Sequence, residues 1–303
     1  MNTWWFDGHL HIMSEKRMKS GIRWAIKAGF DMGLEPEQTT EDTLLQQIRN
    51  TGIRYFFNFF FPIFPRTTLE ILNWQTQFAL RTPEAFPFVS VHVNDGDPLP
   101  FVEEALERRR FVGLKLHPYA QRLALSHPLL EPVYDYVEKK GAIFVTHTGY
   151  DAFYGQSGIT QDLEKILEDH PQLITVVAHM LYPEMDKAFE WLERFPNLYL
   201  DGTNVIYSAA QDGTIGRLYP LLEKYADRIL FGSDYAMAME PIGSTWKRFA
   251  ELPISEEAKI QIGQKTPLQL LRRSGWPFRG EAPISYREVV EGQNASHNSS
   301  SVR

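Results

Sequence analysis

Short apolar runs recur along this chain between longer amphipathic stretches, and this alternation limits the folds it can adopt more than any other feature. The runs are rich in Phe, Val, Ile and Tyr and lack strict polar–apolar alternation, which is typical of strands covered on both faces. Eight strands are therefore predicted, at Trp4–Phe6 (leading into His9), Ile53–Phe59, Phe86–His92, Phe111–Leu116, Ile143–His147, Ile174–His179, Leu198–Asp201 and Ile229–Gly232.

The stretches between these runs have the pattern of helices. They are predicted at Glu41–Asn50, Thr67–Arg81, Leu99–Arg109, Leu129–Lys140, Thr160–Asp169, Glu184–Arg194, Thr214–Tyr225 and Glu256–Arg273. Strands that alternate with helices form parallel sheets, and eight such units in this length predict an α/β fold of the (β/α)8 TIM-barrel type. An open doubly wound sheet is the alternative, but no Gly-rich phosphate loop follows the first strand.

Two segments fall outside the strand–helix alternation. Residues 1–279 are predicted to form a single barrel domain, in which the long connection Ile12–Gln38 makes a lid or a wall. Residues 280–303 become polar and end in GQNASHNSSSVR, so this C-terminal tail is expected to be partly disordered.

Composition excludes several kinds of site. The 303 residues include no cysteine, so any metal must be held by His, Asp, Glu or a modified Lys. A net charge of -7 argues against a nucleic-acid surface. No apolar run approaches the roughly 18 residues of a membrane span, and no signal-type segment opens the chain. A cytoplasmic protein that binds a small molecule, and neither nucleic acid nor membrane, is therefore expected.

Polar side chains collect at the ends of the predicted strands. His9 and His11 lie two residues apart, so they face the same side of strand one, and His147, His179 and Asp234 end strands five, six and eight. Each alone is better explained as a structural residue, since a strand-end Asp often caps the next helix. In a barrel, however, these ends form one rim, where five unpaired polar groups would be costly to bury. The combination predicts a metal site.

Five motifs carry a resemblance to a known family. FDGHLH, GLKLHP, FVTHTG, VVAH and LFGSD, in this order, resemble the motifs of the amidohydrolase superfamily. More narrowly, they resemble its amidohydrolase-related branch, which includes aminocarboxymuconate-semialdehyde decarboxylase, resorcylate-type decarboxylases and many uncharacterised metal-dependent hydrolases. The resemblance covers about residues 4–275 and is specific for the fold and the site, not for a substrate.

The resemblance implies a role for each strand-end residue. His9, His11 and His147 match metal ligands, and Asp234 matches the carboxylate that binds the metal and moves a proton. His179 matches a histidine that polarises the substrate or moves protons in one-metal relatives and binds a second metal in two-metal relatives. Three imidazoles and a carboxylate suit one divalent metal, with zinc preferred and manganese or iron as alternatives.

Three residues near strand four are candidates for substrate binding. Lys115 matches the position of a carboxylated lysine that bridges two metals in some relatives, but it would equally serve as a cation for a substrate carboxylate or as a structural residue. One metal is favoured over two, because the decarboxylase-like branch generally lacks that bridge. His117 shares the face of Lys115 nearer the strand end, and Arg122 has the fork that binds a carboxylate in bidentate fashion.

The segment FFNFFFPIFP, residues 56–65, is unusually aromatic. A core position is the simpler interpretation for most of these rings. Phe60, Phe61 and Phe64 are nevertheless candidates for the lining of an apolar pocket, with Tyr119 and Tyr150 as polar contacts.

Three functions remain open from the sequence. The first is a hydrolase that acts on a small amide, ester or lactone through a metal-activated water, favoured because hydrolases form the larger part of the branch. The second is a metal-dependent non-oxidative decarboxylase of an unsaturated or aromatic acid, and the third is an inactive scaffold. All five positions that the resemblance assigns to the site carry a matching residue, which argues against an inactive scaffold. A homodimer is suggested by the relatives alone, since no segment indicates an interface.

Overall fold

The computed structural model describes residues 4–156 and 158–300, with side chains described as far as residue 293. Eight parallel strands form one sheet in sequence order, so each strand pairs with the next along the chain. Two further short strands, β9 and β10, form a separate antiparallel pair. The bounds are β1 Trp5–Leu10, β2 Ile53–Asn58, β3 Ala85–Val89, β4 Gly113–Leu116, β5 Ile143–His147, β6 Ile174–Ala178, β7 Leu198–Asp201, β8 Ile229–Leu230, β9 Phe278–Arg279 and β10 Ala282–Pro283.

The sheet curves until its last strand meets its first. Gly8 N donates to Phe231 O at 2.8 Å, Asp234 N donates to His9 O at 2.9 Å, and His11 N donates to Tyr235 O at 2.6 Å. These bonds join β1 to the segment after β8. The TIM-barrel prediction is therefore confirmed.

Helices connect the strands around the outside. Their bounds are α1 Glu15–Lys27, α2 Glu41–Asn50, α3 Thr68–Arg81, α4 Leu99–Glu103, α5 Pro118–Gln121, α6 Glu131–Lys140, α7 Asp151–Tyr154, α8 Ile159–Asp169, α9 Met185–Arg194, α10 Val205–Gln211, α11 Ile215–Lys224, α12 Ile242–Ala250, α13 Glu256–Ile260, α14 Thr266–Arg273 and α15 Tyr286–Ser300. Helix α2 begins where the sequence predicts, because the Thr40 side chain accepts from Thr43 N and caps it. No helix among the described residues is long and apolar enough to cross a membrane.

Two predicted helices are each interrupted by a wider turn. The predicted helix Leu99–Arg109 is α4 followed by a π-type turn at Glu104–Arg108. The predicted helix Glu256–Arg273 is α13 and α14 joined by a π-type turn at Gln261–Lys265. Hydrophobic periodicity alone does not distinguish one wide turn from a regular one, so the sequence predicts the span and not the interruption.

Aromatic rings fill the barrel beneath the rim. The ring centroids of Phe6 and Phe57 lie 4.9 Å apart, those of Phe57 and Phe88 5.0 Å, and those of Phe59 and Phe88 4.9 Å. The Phe59 ring in turn lies 4.8 Å from the His9 ring. Phe57 and Phe59 of the aromatic segment at residues 56–65 thus belong to the apolar floor of the site.

The insertion after β1 forms a wall at the rim. Helix α1 buries Met18, Ile22 and Ala25, while the Trp24 ring packs 6.0 Å from Phe153 in α7. This position agrees with the predicted lid or wall.

The C-terminal tail has more regular structure than its polar composition indicates. It contains β10 and α15, and the fully buried ring of Tyr286 anchors it. Tyr286 stacks on Trp276 with centroids 6.4 Å apart, and its hydroxyl donates to Arg109 O at 2.6 Å. This ring packs the start of α15 against the barrel, and the partial disorder of the tail stays a prediction. Residues 301–303 of that tail lie outside the described residues.

Candidate metal centre

Three buried side chains from β1 and the segment after β8 converge on one point. His9 Nε2 lies 3.1 Å from His11 Nε2 and 3.4 Å from Asp234 Oδ1, and His11 Nε2 lies 3.0 Å from the same oxygen. Donor atoms about 2.0–2.1 Å from a common metal ion are separated by about 3.0–3.4 Å. The three side chains, here called the metal triad, therefore match the spacing that a divalent ion requires.

The hydrogen bonds behind the triad orient both imidazoles toward that point. His11 Nδ1 donates to the carbonyl oxygen of Phe59 at 2.8 Å, and His9 Nδ1 donates to the Asp201 carboxylate. Because each Nδ1 carries the proton, each Nε2 is left as an acceptor facing the triad. The three close contacts join His9 Nε2, His11 Nε2 and Asp234 Oδ1 in pairs. A single proton on His11 Nε2 would account for only one of these contacts, whereas a divalent cation would account for all three. The residues present therefore fit a metal.

Asp201 is a buried carboxylate of this site that the candidate set from the sequence omits. It is fully buried at the end of β7, accepts from Thr203 N at 2.9 Å and also accepts from the Thr203 hydroxyl. Burial raises the pKa of Asp201 above its ordinary value. Its place at the end of the predicted strand Leu198–Asp201 is the same signal that identifies the other candidates.

The two oxygens of Asp234 have different partners. Oδ1 faces the two imidazoles of the triad, and Oδ2 accepts from Asn204 Nδ2 at 2.6 Å. Burial raises the pKa of Asp234, but its close contacts with His11 and His9 outweigh burial and hold the pKa well below its usual range. Asp234 is thus an ionised carboxylate suited to a metal.

A second group of imidazoles lies beside the triad. His179 Nδ1 donates to Thr203 O at 2.9 Å, and His147 Nδ1 lies 3.0 Å from His179 Nε2, while His147 stacks on His117 with centroids 3.8 Å apart. Burial lowers the pKa of His117, His147 and His179, so these rings are neutral.

His147 does not join the metal triad in this arrangement. Its Nε2 is buried without a hydrogen-bond partner among the described residues. A buried acceptor of that kind is suited to a metal or a ligand. Its role as a fourth metal ligand stays a prediction.

Lys115 in β4 lies against the triad. Its side chain is fully buried, with Nζ 3.5 Å from His9 Nε2 and 4.7 Å from the centroid of the Phe59 ring. Burial lowers the pKa of Lys115 to about 8, although the charges of Asp201 and Asp234 oppose the shift. The position places a cation or a neutral amine next to His9, a candidate metal ligand, so the roles proposed from the sequence stay open.

The other two substrate-binding candidates differ in their positions. His117 Nδ1 accepts from Ala120 N at 3.3 Å at the start of α5, and its ring faces the imidazole group. Arg122 is exposed at the end of α5, and no contact among the described residues joins its guanidinium to the imidazoles or the triad. Its role as a carboxylate anchor stays a prediction.

Aromatic rings form a wall beside these imidazoles. Phe61 lies 5.6 Å from His11 and 4.8 Å from His117, and Tyr154 lies 5.7 Å from His117. Tyr150 lies 5.6 Å from the neighbouring His179. The sequence singles out Phe61 and Tyr150 and misses Tyr154.

Two of the predicted pocket rings lie elsewhere. Phe60 is buried against Trp74, with centroids 5.3 Å apart, so it belongs to the outer core. Phe64 is 57% exposed beneath the guanidinium of Arg17. Their proximity to Phe61 in the sequence misled the prediction, because successive residues after β2 point in different directions.

Left-handed backbone conformations concentrate at this rim. His179, Asn204 and Asp234 have φ values of 62°, 61° and 62°, which residues other than glycine rarely adopt. Such backbone is costly and is maintained where a side chain must be held in one direction. Here it turns the imidazole, amide and carboxylate inward.

The family of this chain follows from its sequence. A sequence model of the amidohydrolase family matches residues 6–273, which is nearly the whole chain. The chain belongs to the amidohydrolase family, and this assignment indicates a metal-dependent enzyme. No curated protein matches the sequence.

Solved structures agree with the fold. An uncharacterised TIM-barrel protein from Bordetella bronchiseptica superposes with a TM-score of 0.73 at 20% identity, covering 90% of this chain and 100% of that one. A dihydroxybenzoic acid decarboxylase from Polaromonas, with bound manganese and 2-nitroresorcinol, gives 0.65 at 15% identity, covering 89% and 97%. A 4-oxalomesaconate hydratase from Rhodopseudomonas palustris gives 0.63 at 14% identity, covering 89% and 96%. At these identities the likeness concerns the fold alone.

Proposed function

We propose that this chain is a metal-dependent, non-oxidative decarboxylase of a small aromatic or conjugated carboxylic acid. The observation that carries the proposal is the wall of aromatic rings, Phe61, Tyr150 and Tyr154, beside neutral imidazoles and the metal triad. Aromatic side chains next to a bound cation suit a planar ring with an anionic substituent. Several structural neighbours are decarboxylases of such acids, which supports the same choice.

One divalent ion would be held by His9, His11 and Asp234, with His147 as the candidate fourth ligand. Zinc suits these donors, and manganese, the ion in the Polaromonas neighbour, suits them as well. When bound, the ion supplies positive charge that fixes the substrate carboxylate and stabilises negative charge on the rest of the substrate.

The protein's own groups would orient the acid and move its proton. Lys115 adds a buried amine beside the triad, and the aromatic wall excludes water from the bound ring. Asp234 is ionised, so it is proposed to relay a proton: Oδ2, which lies away from the imidazoles and is held by Asn204, takes a proton from water and passes it to the carbon that loses CO2.

Hydrolysis of an amide, ester or lactone is the second candidate, and it is the one that the sequence favours. The ionised Asp234 carboxylate supports it, because a carboxylate beside a metal can accept the proton of an attacking water. His179 would then stabilise the developing oxyanion.

The two candidates give different products. Manganese- or zinc-loaded protein is incubated with 2,6-dihydroxybenzoate and 5-carboxyvanillate on one side and with aryl esters and lactones on the other. We expect CO2 release from an acid, lost in Asp234→Asn and retained in Asp212→Asn, an exposed carboxylate on the surface. Hydrolysis of esters or lactones without CO2 from any acid would refute the decarboxylase and support the second candidate.

A further inference from the structure

Tyr154 has an unusual position at the rim. Its ring meets His147 edge-to-face with centroids 5.4 Å apart and an angle of 88°, and it stacks on Tyr119 at 4.6 Å. It also lies 5.7 Å from His117. These contacts fix the phenol ring beside the imidazole group, although Tyr154 comes from the short helix α7 and not from a barrel strand.

No hydrogen bond to a described residue holds the hydroxyl of Tyr154, unlike those of the neighbouring tyrosines. Tyr150 shares a hydrogen bond of 2.8 Å with Ser208, and Tyr119 donates to Asp151. Tyr154 has no hydrogen-bond partner for its hydroxyl among the side chains and backbone described through residue 293. The Tyr154 side chain is half-buried and its hydroxyl is not among the buried atoms that lack a partner, so the hydroxyl is accessible and a ligand oxygen can accept from it.

The phenol of Tyr154 can act as a hydrogen-bond donor, because a tyrosine hydroxyl carries its proton at neutral pH. Phe61 lies on the same His117 ring and presents an apolar face. A planar ligand between these rings would have apolar faces against it and one hydrogen-bond donor at its edge.

We propose that Tyr154 contacts the substrate directly: its ring packs on the substrate ring, and its hydroxyl donates to an oxygen substituent at the edge of that ring. This inference rests on the proposed function and narrows the substrate class to planar aromatic or conjugated acids that bear an oxygen on the ring. Tyr154 then selects such acids over saturated ones of the same charge.

Ligand binding without turnover tests this role. We would titrate manganese-loaded protein with 2-hydroxybenzoate and with cyclohexanecarboxylate by calorimetry, using wild type, Tyr154→Phe and Tyr154→Ala. Tyr219→Phe is the matched control, because Tyr219 is also half-buried but lies on the outer helix α11. Thermal melting checks that each variant is folded.

Wild type is expected to bind 2-hydroxybenzoate more tightly than cyclohexanecarboxylate. A lost hydrogen bond to an anionic or phenolic oxygen weakens binding of 2-hydroxybenzoate about tenfold in Tyr154→Phe, and removal of the ring weakens it further in Tyr154→Ala. Tyr219→Phe should bind as wild type does.

Equal affinity of wild type and Tyr154→Phe for 2-hydroxybenzoate would overturn the inference, and so would a wild type that does not prefer the aromatic acid. The proposed function is tested separately. If Tyr154→Phe binds 2-hydroxybenzoate weakly but the wild type releases no CO2 from any acid, the binding role stands and the decarboxylase proposal fails.

Discussion

The orientation of His9 depends on a carboxylate that does not touch the proposed metal. Asp201 holds His9 Nδ1, and Thr203 holds Asp201 through both its backbone N–H and its hydroxyl. A carboxylate behind a metal-bound histidine fixes the tautomer and increases the basicity of the nitrogen that binds the metal. The geometry of the triad therefore depends on β7 as well as on β1.

Replacing Asp201 by Asn should weaken metal binding without removing a ligand. We expect the metal affinity to fall by about 10–100-fold, because the amide no longer supplies the charge that favours a protonated Nδ1. Competition with a fluorescent chelator measures the affinity. Asp186→Asn, an exposed carboxylate paired with Arg217, is the control. An Asp201→Asn affinity equal to that of wild type would show that Asp201 does not position His9.

At the scale of the residue, the sequence predicts the metal triad but misses the neighbouring side chains Asp201, Asn204 and Tyr154. His9, His11 and Asp234 lie at or just after strand ends, so the barrel topology predicts that they come together. Asn204 and Tyr154 follow strands at distances that no periodicity determines, and their positions depend on left-handed backbone and a four-residue helix. Such local geometry is set by tertiary contacts that a single sequence does not reveal.

Among the elements, the packing of β4 on β5 depends on a glycine. Gly113 pairs with Ile143, and a Cβ at Gly113 would lie 2.0 Å from the Ile143 carbonyl oxygen and 2.8 Å from the Phe88 ring. A backbone oxygen cannot move away without breaking the ladder. This close approach positions β4, and with it Lys115, next to the triad.

Gly113→Ala should therefore destabilise the barrel. We expect a loss of about 3 kcal/mol in the free energy of unfolding, from overpacking and strand displacement, measured by urea denaturation. Gly216→Ala in α11 is the matched control, because a Cβ there meets nothing within 4 Å. In a helix the same change should stabilise by about 0.5–1 kcal/mol. Equal stabilities of the two variants would contradict this account of β4.

The strands and helices were predictable where burial determines them. Strands β5 and β7 have the predicted bounds, because continuous apolar runs ending in a polar residue mark buried parallel strands. The short helices α5, α7 and α10 were not predicted, since each has seven residues or fewer and carries no periodic pattern of its own. The formation of these short helices depends on their contacts with the barrel rim that they cover.

Across the whole molecule, buried imidazoles make the stability of the metal-free protein depend on pH. Burial lowers the pKa of four histidines, which are His9, His117, His147 and His179. The unfolded chain therefore takes up protons near pH 6.5 that the native state does not. Two buried carboxyls act in the opposite direction, because burial raises the pKa of Asp7 to about 7 and also raises that of Asp201.

The free energy of unfolding should therefore fall as the pH decreases below 6.5. A net difference of about two protons corresponds to a slope of about 2.7 kcal/mol per pH unit. Urea denaturation of the chelator-treated protein at pH 7.5, 6.5 and 5.5 measures the slope, and His117→Asn, which removes one titrating group, should make it shallower. Stability that is constant or rises toward pH 5.5 would contradict the buried, neutral imidazoles.

The central claim is that the converging side chains of β1 and the segment after β8 hold a metal ion, and metal content per chain tests it most directly. Protein purified without chelators is analysed by inductively coupled plasma mass spectrometry, together with His9→Ala, Asp234→Asn and the control His127→Ala, a loop histidine that binds Leu129 N. We predict about one equivalent of zinc, manganese or iron in wild type and in His127→Ala, and loss of that metal in the other two. A wild type that takes up no metal after reconstitution, or triad variants that keep it, would contradict the account.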